Sequence, residues 1–230
     1  MSLATVDPPP FPSGKIARLT ELRELLAEKF PAVEFKRSGV FETGFAALDA
    51  QGGGLQRGVM TEVASSSGSG SLFLEAMLKA TQEARCFAAV IDGGRSFDPQ
   101  ERDPAALGRM LWVMCHSAAQ AIKAADLLLR DGNLPLILLD LQPLPLPELR
   151  RIPASTWHRF QRLVEQTATA FVVLSPRPIV EGARVRLAIH RRWNLEAMRQ
   201  RRAFLLQELD VQVFSRPGFS VLPEPARKTA

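Results

Sequence analysis

The sequence predicts an α/β protein whose mainly parallel sheet is flanked by helices and ends in an antiparallel C-terminal edge. Apolar segments that are typical of buried strands alternate with amphipathic helical segments along the chain, which is the order expected of a parallel sheet. Residues 86–92 and 134–140 are almost continuously apolar, as strands covered on both faces are. Residues 185–189 and 209–213 alternate with period two instead, which favours an antiparallel edge.

The composition narrows the classes of function. With 46% hydrophobic and 23% charged residues in a chain of 230, we expect one soluble globular core. No apolar run approaches the roughly 20 residues of a membrane helix, and residues 1–14 lack the features of a secretory signal. Cys86 and Cys115 are expected to be buried free thiols of a cytoplasmic protein, and three widely spaced histidines do not indicate a metal site.

Four segments are predicted along the chain. Residues 1–14 are rich in proline and small residues and are expected to be disordered. Residues 15–38 hold an amphipathic helix, which Ser13 caps, and a linker. Residues 39–216 form the core, and residues 217–230 are expected to be a flexible tail.

The elements of the core follow from local patterns. Ser117 begins and Gly132 ends the most regular helix. The prolines of residues 141–147 are expected to stiffen that loop towards polyproline II. The remaining predicted elements are an extended piece at 40–41, a short helix and glycine-rich turn within 43–58, strands at 59–64, 86–92, 111–115, 134–140 and 170–175, helices at 72–83 and 155–168, and an arginine-rich helix near 195–203.

The stretch EVASSSGSGSLFL, residues 62–74, has the form of a phosphate-binding loop that opens a helix, yet it holds no lysine. Such a loop works through backbone N–H groups, a lysine that reaches the β and γ phosphates, and a Ser/Thr hydroxyl on Mg²⁺. The nearest downstream lysine, Lys79, is about 12 Å along the helix from Ser71 at 1.5 Å per residue. We therefore expect no efficient ATPase. The loop is either a weak anion site or a serine-glycine turn without a ligand.

The pieces around this loop follow an order that resembles the ATPase core of the RecA family. Thr43-Gly44 and GGLQRG at 53–58 precede the strand and loop as they do at the entry to the RecA nucleotide site. IDGGRSFDP at 91–99 lies where the family carries its catalytic glutamate, and LILLD at 136–140 resembles its Walker B strand. The resemblance covers about residues 40–192 and implies a RecA-like sheet of the P-loop type.

The loop itself departs from the family pattern at its diagnostic positions. Ser71 stands where the family has the lysine, and Leu72 stands where it has the Mg²⁺ ligand. The vestigial nucleotide loop, by this resemblance, consists of Ser65, Gly68, Ser69, Gly70, Ser71 and Leu72.

Two further catalytic positions are changed. Gly94 stands at the glutamate that activates water, and Ser175-Pro176 stands at the phosphate-sensing glutamine. Asp140 alone remains, as a remnant of Walker B. The resemblance thus implies a chain without catalytic residues, metal or cofactor, with weak ATP or ADP binding left open.

Among RecA-like proteins, the chain most resembles the ImuA family of bacterial accessory proteins of damage-induced translesion mutagenesis. The likeness rests on the length of the core, the inactive loop, a leading helix that ends at Phe30-Pro31, and a basic C-terminal region. It implies a cytoplasmic, non-catalytic adaptor whose partners are a polymerase-like ImuB protein, an error-prone DNA polymerase and RecA. The short second loop, residues 176–182, does not fit a filament-forming recombinase.

Positive charge is concentrated towards the C-terminal end. Between Arg177 and Arg216, nine arginines face four acidic residues, so this segment carries the whole net charge of +5. Such a pattern is typical of a surface for nucleic acid or an acidic partner, and a solvated charged face is the alternative. The candidates for DNA or partner contact are Arg184, Arg186, Arg191, Arg192, Trp193, Arg199, Arg201 and Arg202.

Two functions of other classes stay open. One is a divergent RecA-paralogue ATPase that a neighbouring subunit completes with an arginine or lysine. The other is a DNA-binding module built on the basic segment, with Trp193 stacked on a base. The sequence does not decide between a monomer and an oligomer.

Overall fold

A seven-stranded sheet lies at the centre of the computed structural model and confirms the predicted α/β class. The structure describes residues 39–44, 46–50, 53–65, 69–100, 104–189, 199–200, 204–205, 209 and 211–215. The elements, in chain order, are β1 (Val40–Phe41), α1 (Ala46–Asp49), β2 (Leu55–Gln56), β3 (Met60–Ser65), α2 (Ser69–Glu83), β4 (Ala88–Asp92), α3 (Pro104–Leu107), β5 (Met110–Met114), α4 (Ala118–Asp131), β6 (Leu136–Asp140), α5 (Leu146–Leu149), α6 (Ala154–Glu165), β7 (Ala170–Ser175), β8 (Val185–Ile189) and β9 (Val211–Ser215).

The strand order in the central sheet is β5-β4-β6-β7-β3-β8-β9. Every pair from β5 to β8 is parallel, and β9 runs antiparallel to β8. The antiparallel edge that the period-two segments predict is therefore confirmed. The short strands β1 and β2 pair with each other in a separate antiparallel ladder, which the sequence patterns did not predict.

Helices cover both faces of the sheet, which explains why its inner strands are apolar throughout. Val90 and Leu138 pack on the face that α2 covers, with the buried side chains of that helix. Ile91 and Leu139 point to the opposite face and pack against α4 and α6. Because both faces of β3, β4, β6 and β7 are buried, alternation of polar and apolar residues is lost there.

The regular helix α4 begins and ends as its sequence predicts. The Ser117 hydroxyl accepts a hydrogen bond from the Gln120 N–H, and Gly132 has a φ of 68° and donates its N–H to Leu128 O. These are an N-cap and a left-handed C-cap. The caps fix where α4 starts, and therefore how close its first turn lies to the carboxyl ends of the strands.

Several sequence predictions need correction or extension. Residues 141–147 do not form a polyproline II segment. They make a turn at 142–144 and then enter the helix α5. Pro145 is tolerated at the N-cap because the helix makes no use there of the N–H that proline lacks. Helix α2 begins at Ser69 rather than at residue 72, and α3 was not predicted.

Predictions on residues 1–38 and 216–230 lie outside the described residues, as does most of the predicted helix near 195–203. Cys86 and Cys115 are buried free thiols, as predicted. Within the described part of the chain, no helix combines the length and the apolar character that crossing a membrane requires.

Candidate functional site

The loop begins at the carboxyl end of β3, which β7 separates from β6 and β4 in the sheet. Asp92 and Asp140 are register partners at the ends of β4 and β6. Ligands of open α/β sheets bind outside the carboxyl ends of the strands. The structure thus brings together Ser65, the start of α2, Gly94 and Asp140 at the edge where the sequence predicts the nucleotide position.

The described part of the loop turns one predicted site residue into the core. Leu72, which the resemblance sets at the Mg²⁺ position, is only 7% exposed and packs between α2 and the sheet. Ser69 and Gly70 are buried, whereas Ser71 is exposed. Gly68 lies outside the described residues. An apolar side chain turned into the core offers no oxygen to a metal ion, since Mg²⁺ takes oxygen ligands.

Gln142, which the sequence patterns did not single out, bridges the end of β3 and the start of α2. Its Nε2 donates a hydrogen bond of 3.3 Å to Ser65 O. Its carboxamide also lies against Gly70, where a Cβ would stand 1.9 Å from Gln142 Oε1. The only sequence signal is a polar residue two positions after Asp140. A side chain at position 70 would have to move the Gln142 carboxamide aside.

The next residue of the same turn, Pro143, covers Gly94. A Cβ on Gly94 would stand 2.4 Å from Pro143 Cβ, and a Cβ on Gly93 would stand 2.6 Å from Asp140 O. Gly93 also donates its N–H to that carbonyl at 2.9 Å. Both glycines therefore let the loop after β6 approach the end of β4, and no larger side chain at position 94 fits beside Pro143 as it stands.

Asp140 and Asp92 are buried carboxylates with different partners. Asp92 accepts hydrogen bonds from the Ser96 and Phe97 N–H groups, both 3.0 Å, and so fixes the turn after β4. Asp140 Oδ1 accepts one from the Gln142 N–H at 3.0 Å. Burial raises the pKa of Asp140 to about 6, and neighbouring Asp92 adds to the effect, while the Gln142 N–H opposes it. Asp140 is thus a strand-end cap that is costly to ionise.

Ser65 has a buried hydroxyl next to α2. The residue is 4% exposed, and its Oγ has no hydrogen-bond partner among the described residues. A buried polar group without a partner is uncommon and costs free energy. Among the described residues of the loop, this hydroxyl favours an anion at the N-terminus of α2.

Glu62 forms a second centre on the other face of the sheet, where the sequence predicts only a buried strand. Its side chain is fully buried, and Oε1 accepts hydrogen bonds from Ser175 Oγ, Ile179 N and Val180 N. Arg186 Nε lies 2.6 Å from Oε2. The one carboxylate thus ties β3, β8 and the loop after β7 together.

This arrangement also assigns a structural partner to Ser175. Ser175 donates to Glu62 on the face that α6 covers, away from α2. The sequence did offer a signal for Glu62, which is an acidic residue within an otherwise apolar strand. A buried carboxylate needs a cation and several hydrogen-bond donors, so such a residue indicates a polar centre.

Two of the arginines predicted for DNA or partner contact already have acidic partners. Arg186 pairs with Glu62, and Arg184 pairs with Glu165. Arg199 is exposed. The other members of that set, Arg191, Arg192, Trp193, Arg201 and Arg202, lie outside the described residues.

In the described part of the chain, no three His, Cys, Asp or Glu side chains group as metal ligands. Comparison with protein-family models finds no match, and comparison with curated protein sequences finds no significant one.

Proposed function

We propose that this chain is a non-catalytic RecA-like adaptor of the bacterial DNA-damage response, which supports translesion DNA synthesis through protein partners in the cytoplasm. The observation that carries the non-catalytic part is the turn after β6. Gln142 bridges Ser65 and Gly70, and Pro143 occupies the space beside Gly94. A nucleotide phosphate at the start of α2 would have to displace Gln142, and a catalytic glutamate would have to displace Pro143.

The chemistry available at this edge supports the same proposal. Phosphoryl transfer depends on a lysine and a metal ion that neutralise developing charge, and on a group that orients the attacking water. Here Ser71, Leu72 and Gly94 take the three positions, and none of their side chains supplies these functions. Asp140 caps a strand end, and its Oδ1 is already engaged by the Gln142 N–H.

The identity of the partners comes from the resemblance to the ImuA family. The order of the described elements supports it, because β3, β4 and β6 are parallel strands that end at one edge of the sheet. By the resemblance, the phosphate-binding loop follows β3, the catalytic glutamate follows β4, and Walker B is β6. An adaptor of this kind would join a polymerase-like ImuB protein and an error-prone polymerase, and its activity would lie in its surfaces rather than in turnover.

Reconstitution tests the adaptor function directly. We expect the chain to bind the polymerase-like partner and to raise primer extension past a template lesion by the error-prone polymerase. The Asp140→Asn variant is the matched control, since it keeps the side-chain shape and is expected to support extension as well as the unchanged chain does. Absence of any partner complex, or extension that requires Asp140 and ATP hydrolysis, would contradict the proposal.

One observation favours a second function, an ATPase that a neighbouring subunit completes. The unpartnered Ser65 hydroxyl and the first turn of α2 leave an anion-binding feature in place. This alternative predicts hydrolysis that rises more steeply than linearly with protein concentration, because the missing cation arrives with a second copy. A turnover number that stays at background up to high concentration would exclude it.

A further inference from the structure

The exposed face of α6 is basic. His158, Arg159 and Arg162 are all exposed, and their spacing of one, three and four residues places them on one side of the helix. The opposite side buries Trp157 and Phe160 in the core. The turn that leads into α6 adds two more exposed arginines, Arg150 and Arg151. We call these five residues the α6 basic face.

Most of this charge has no acidic partner within the described structure. Asp126 of α4 pairs with Arg159 and with Arg130. Glu165 at the end of α6 pairs with Arg184. No ion pair is formed by the other four members of the face, which are Arg150, Arg151, His158 and Arg162.

The remaining carboxylates near this face leave it positive. Glu148, on α5, accepts the Ala118 N–H at 2.7 Å and so caps the start of α4. Glu181 is exposed in the loop after β7, next to Gly182, whose Cβ would lie 3.3 Å from the His158 ring. Glu181 thus stands beside one end of the face and opposes a single charge.

The composition of the face indicates which kind of partner fits it. The exposed large apolar side chains of the described residues lie elsewhere, and none is on α5, α6 or the loop after β7. A protein partner would be expected to meet an apolar centre with aromatic residues, and a membrane surface would need apolar side chains to insert. Surfaces for nucleic acid are polar and strongly positive, and arginine suits phosphate.

The shape of the face distinguishes between the forms of nucleic acid. Unstacked bases of a single strand are held on exposed aromatic rings, whereas the tryptophan and phenylalanine of α6 are buried. A helix face with several guanidinium groups and no stacking platform fits the phosphates of an intact duplex.

We propose that the α6 basic face binds the phosphate backbone of a nucleic-acid duplex without regard to base sequence. This surface lies on the opposite helix layer from α2. This proposal does not depend on the adaptor function, because duplex binding and support of lesion bypass are measured in separate assays.

The test measures binding of a fluorescent 25-base-pair DNA duplex to the full chain across a salt series. We expect Arg150→Gln/Arg151→Gln/Arg162→Gln to weaken binding by roughly tenfold or more and to lower the slope of log K against log salt by about 3, one unit per lost phosphate contact. Replacing the same three residues with lysine keeps the charge, and should keep most of the affinity.

Two control variants make the outcome specific. Lys79→Gln/Arg85→Gln/Arg109→Gln removes three charges from the α2 side and the β5 edge and should leave binding unchanged. Arg191→Gln/Arg192→Gln/Arg201→Gln/Arg202→Gln tests the C-terminal arginines. The proposal is overturned if the α6 variant binds as the unchanged chain does, if the C-terminal variant alone loses binding, or if a single strand of equal length binds more tightly than the duplex.

Discussion

The Gln142 carboxamide lies directly against the Cα of Gly70, so that a Cβ on Gly70 would stand 1.9 Å from Gln142 Oε1. Gln142 follows β6, and Gly70 lies in the first turn of α2, which follows β3; β7 separates the two strands in the sheet. Contact between them therefore ties the loop after β6 to the first turn of α2. It makes this end of the sheet part of the packed structure.

Gly70→Ala is expected not to stabilise the protein, unlike alanine at an ordinary helix position. Alanine at a helix position normally stabilises by about 0.5–1 kcal/mol relative to glycine. Here the added methyl group must displace the Gln142 carboxamide, the flexible end of a side chain, and the lost hydrogen bond to Ser65 O offsets that gain by about 0.5–1.5 kcal/mol. Urea denaturation measures this difference.

The matched control is Gly108→Ala, where the nearest atom to a Cβ is Pro104 O at an ordinary 3.5 Å. This variant should be neutral or slightly stabilising. In a Gln142→Ala background, Gly70→Ala should also lose its cost, because the clash is gone. A stabilising effect of Gly70→Ala in the unchanged chain would show that Gln142 does not hold this position in solution.

Gly94→Glu is expected to destabilise the protein without making it an ATPase. Pro143 Cβ would lie 2.4 Å from the new Cβ, so we expect a loss of about 1–3 kcal/mol in the free energy of unfolding and no gain in ATP hydrolysis. Pro143→Gly should recover part of the lost stability in the double variant. Hydrolysis that appears in Gly94→Glu alone would mean that position 94 is open and that the loop after β6 moves aside.

Glu62→Ala is expected to be severely destabilising and to release the loop after β7. It leaves Arg186 without its carboxylate and removes the acceptor of the Ile179 and Val180 N–H groups. Because the Arg186 side chain is 38% exposed and water reaches it, the main cost is that of the two N–H groups left without an acceptor, about 1–3 kcal/mol each. Hydrogen exchange at these two amides should rise, and where the variant does not fold, Glu62→Gln gives the same readout more mildly.

An exposed pair supplies the comparison for Glu62. Glu165 pairs with Arg184 at the surface, and surface pairs contribute only about 0–1 kcal/mol. Glu165→Gln should therefore change the free energy of unfolding little and leave the exchange of the loop amides as it is. Equal effects of the two substitutions would contradict the role assigned to Glu62.

Asp140→Asn is expected to stabilise the protein at neutral pH and to have no effect in acid. Because the pKa of Asp140 rises from 3.8 to about 6 on folding, the folded state holds the proton more tightly, and stability falls as pH rises from about 4 to 6. At 1.36 kcal/mol per pKa unit this amounts to about 2–3 kcal/mol. Asparagine carries no charge and keeps the Oδ1 acceptor for the Gln142 N–H.

The measurement is the free energy of unfolding of both proteins from pH 4 to 8. The advantage of Asp140→Asn should be near zero at pH 4, grow up to about pH 6 and stay constant above it. The exposed Asp98→Asn variant is the control, with a change within about 0.5 kcal/mol throughout. If the stability advantage of Asp140→Asn grew as the pH falls, folding would lower the pKa of Asp140 rather than raise it, which would contradict this account.

The local patterns of the sequence were sufficient to locate most strands of the sheet. They were insufficient to predict the side-chain contacts at the carboxyl ends of those strands. Strands such as Ala170–Ser175 and Val185–Ile189 were located to the residue, because the apolar residues that indicate a buried strand lie within the strand itself. The cap residues Ser117 and Gly132 were found for the same local reason.

The role of Gln142 was not accessible in this way. Gln142 meets Ser65 across 77 positions of sequence, and no local periodicity reports such a contact. Glu62 is similar, because its partners lie in a loop more than 110 positions away. The prolines of 141–147 misled the prediction, because proline also suits the first residues of a helix such as α5.

A thermal-shift titration with Mg·ATP, Mg·ADP and sulfate, run beside a hydrolysis assay, tests most directly whether this edge still serves nucleotides. A ligand that binds only the folded state raises the melting temperature once it exceeds its dissociation constant. We predict no shift with millimolar Mg·ATP and no hydrolysis above background. A Mg-dependent rise in melting temperature, lost in Asp140→Asn and accompanied by turnover, would contradict a non-catalytic adaptor whose nucleotide position Gln142 and Pro143 have closed.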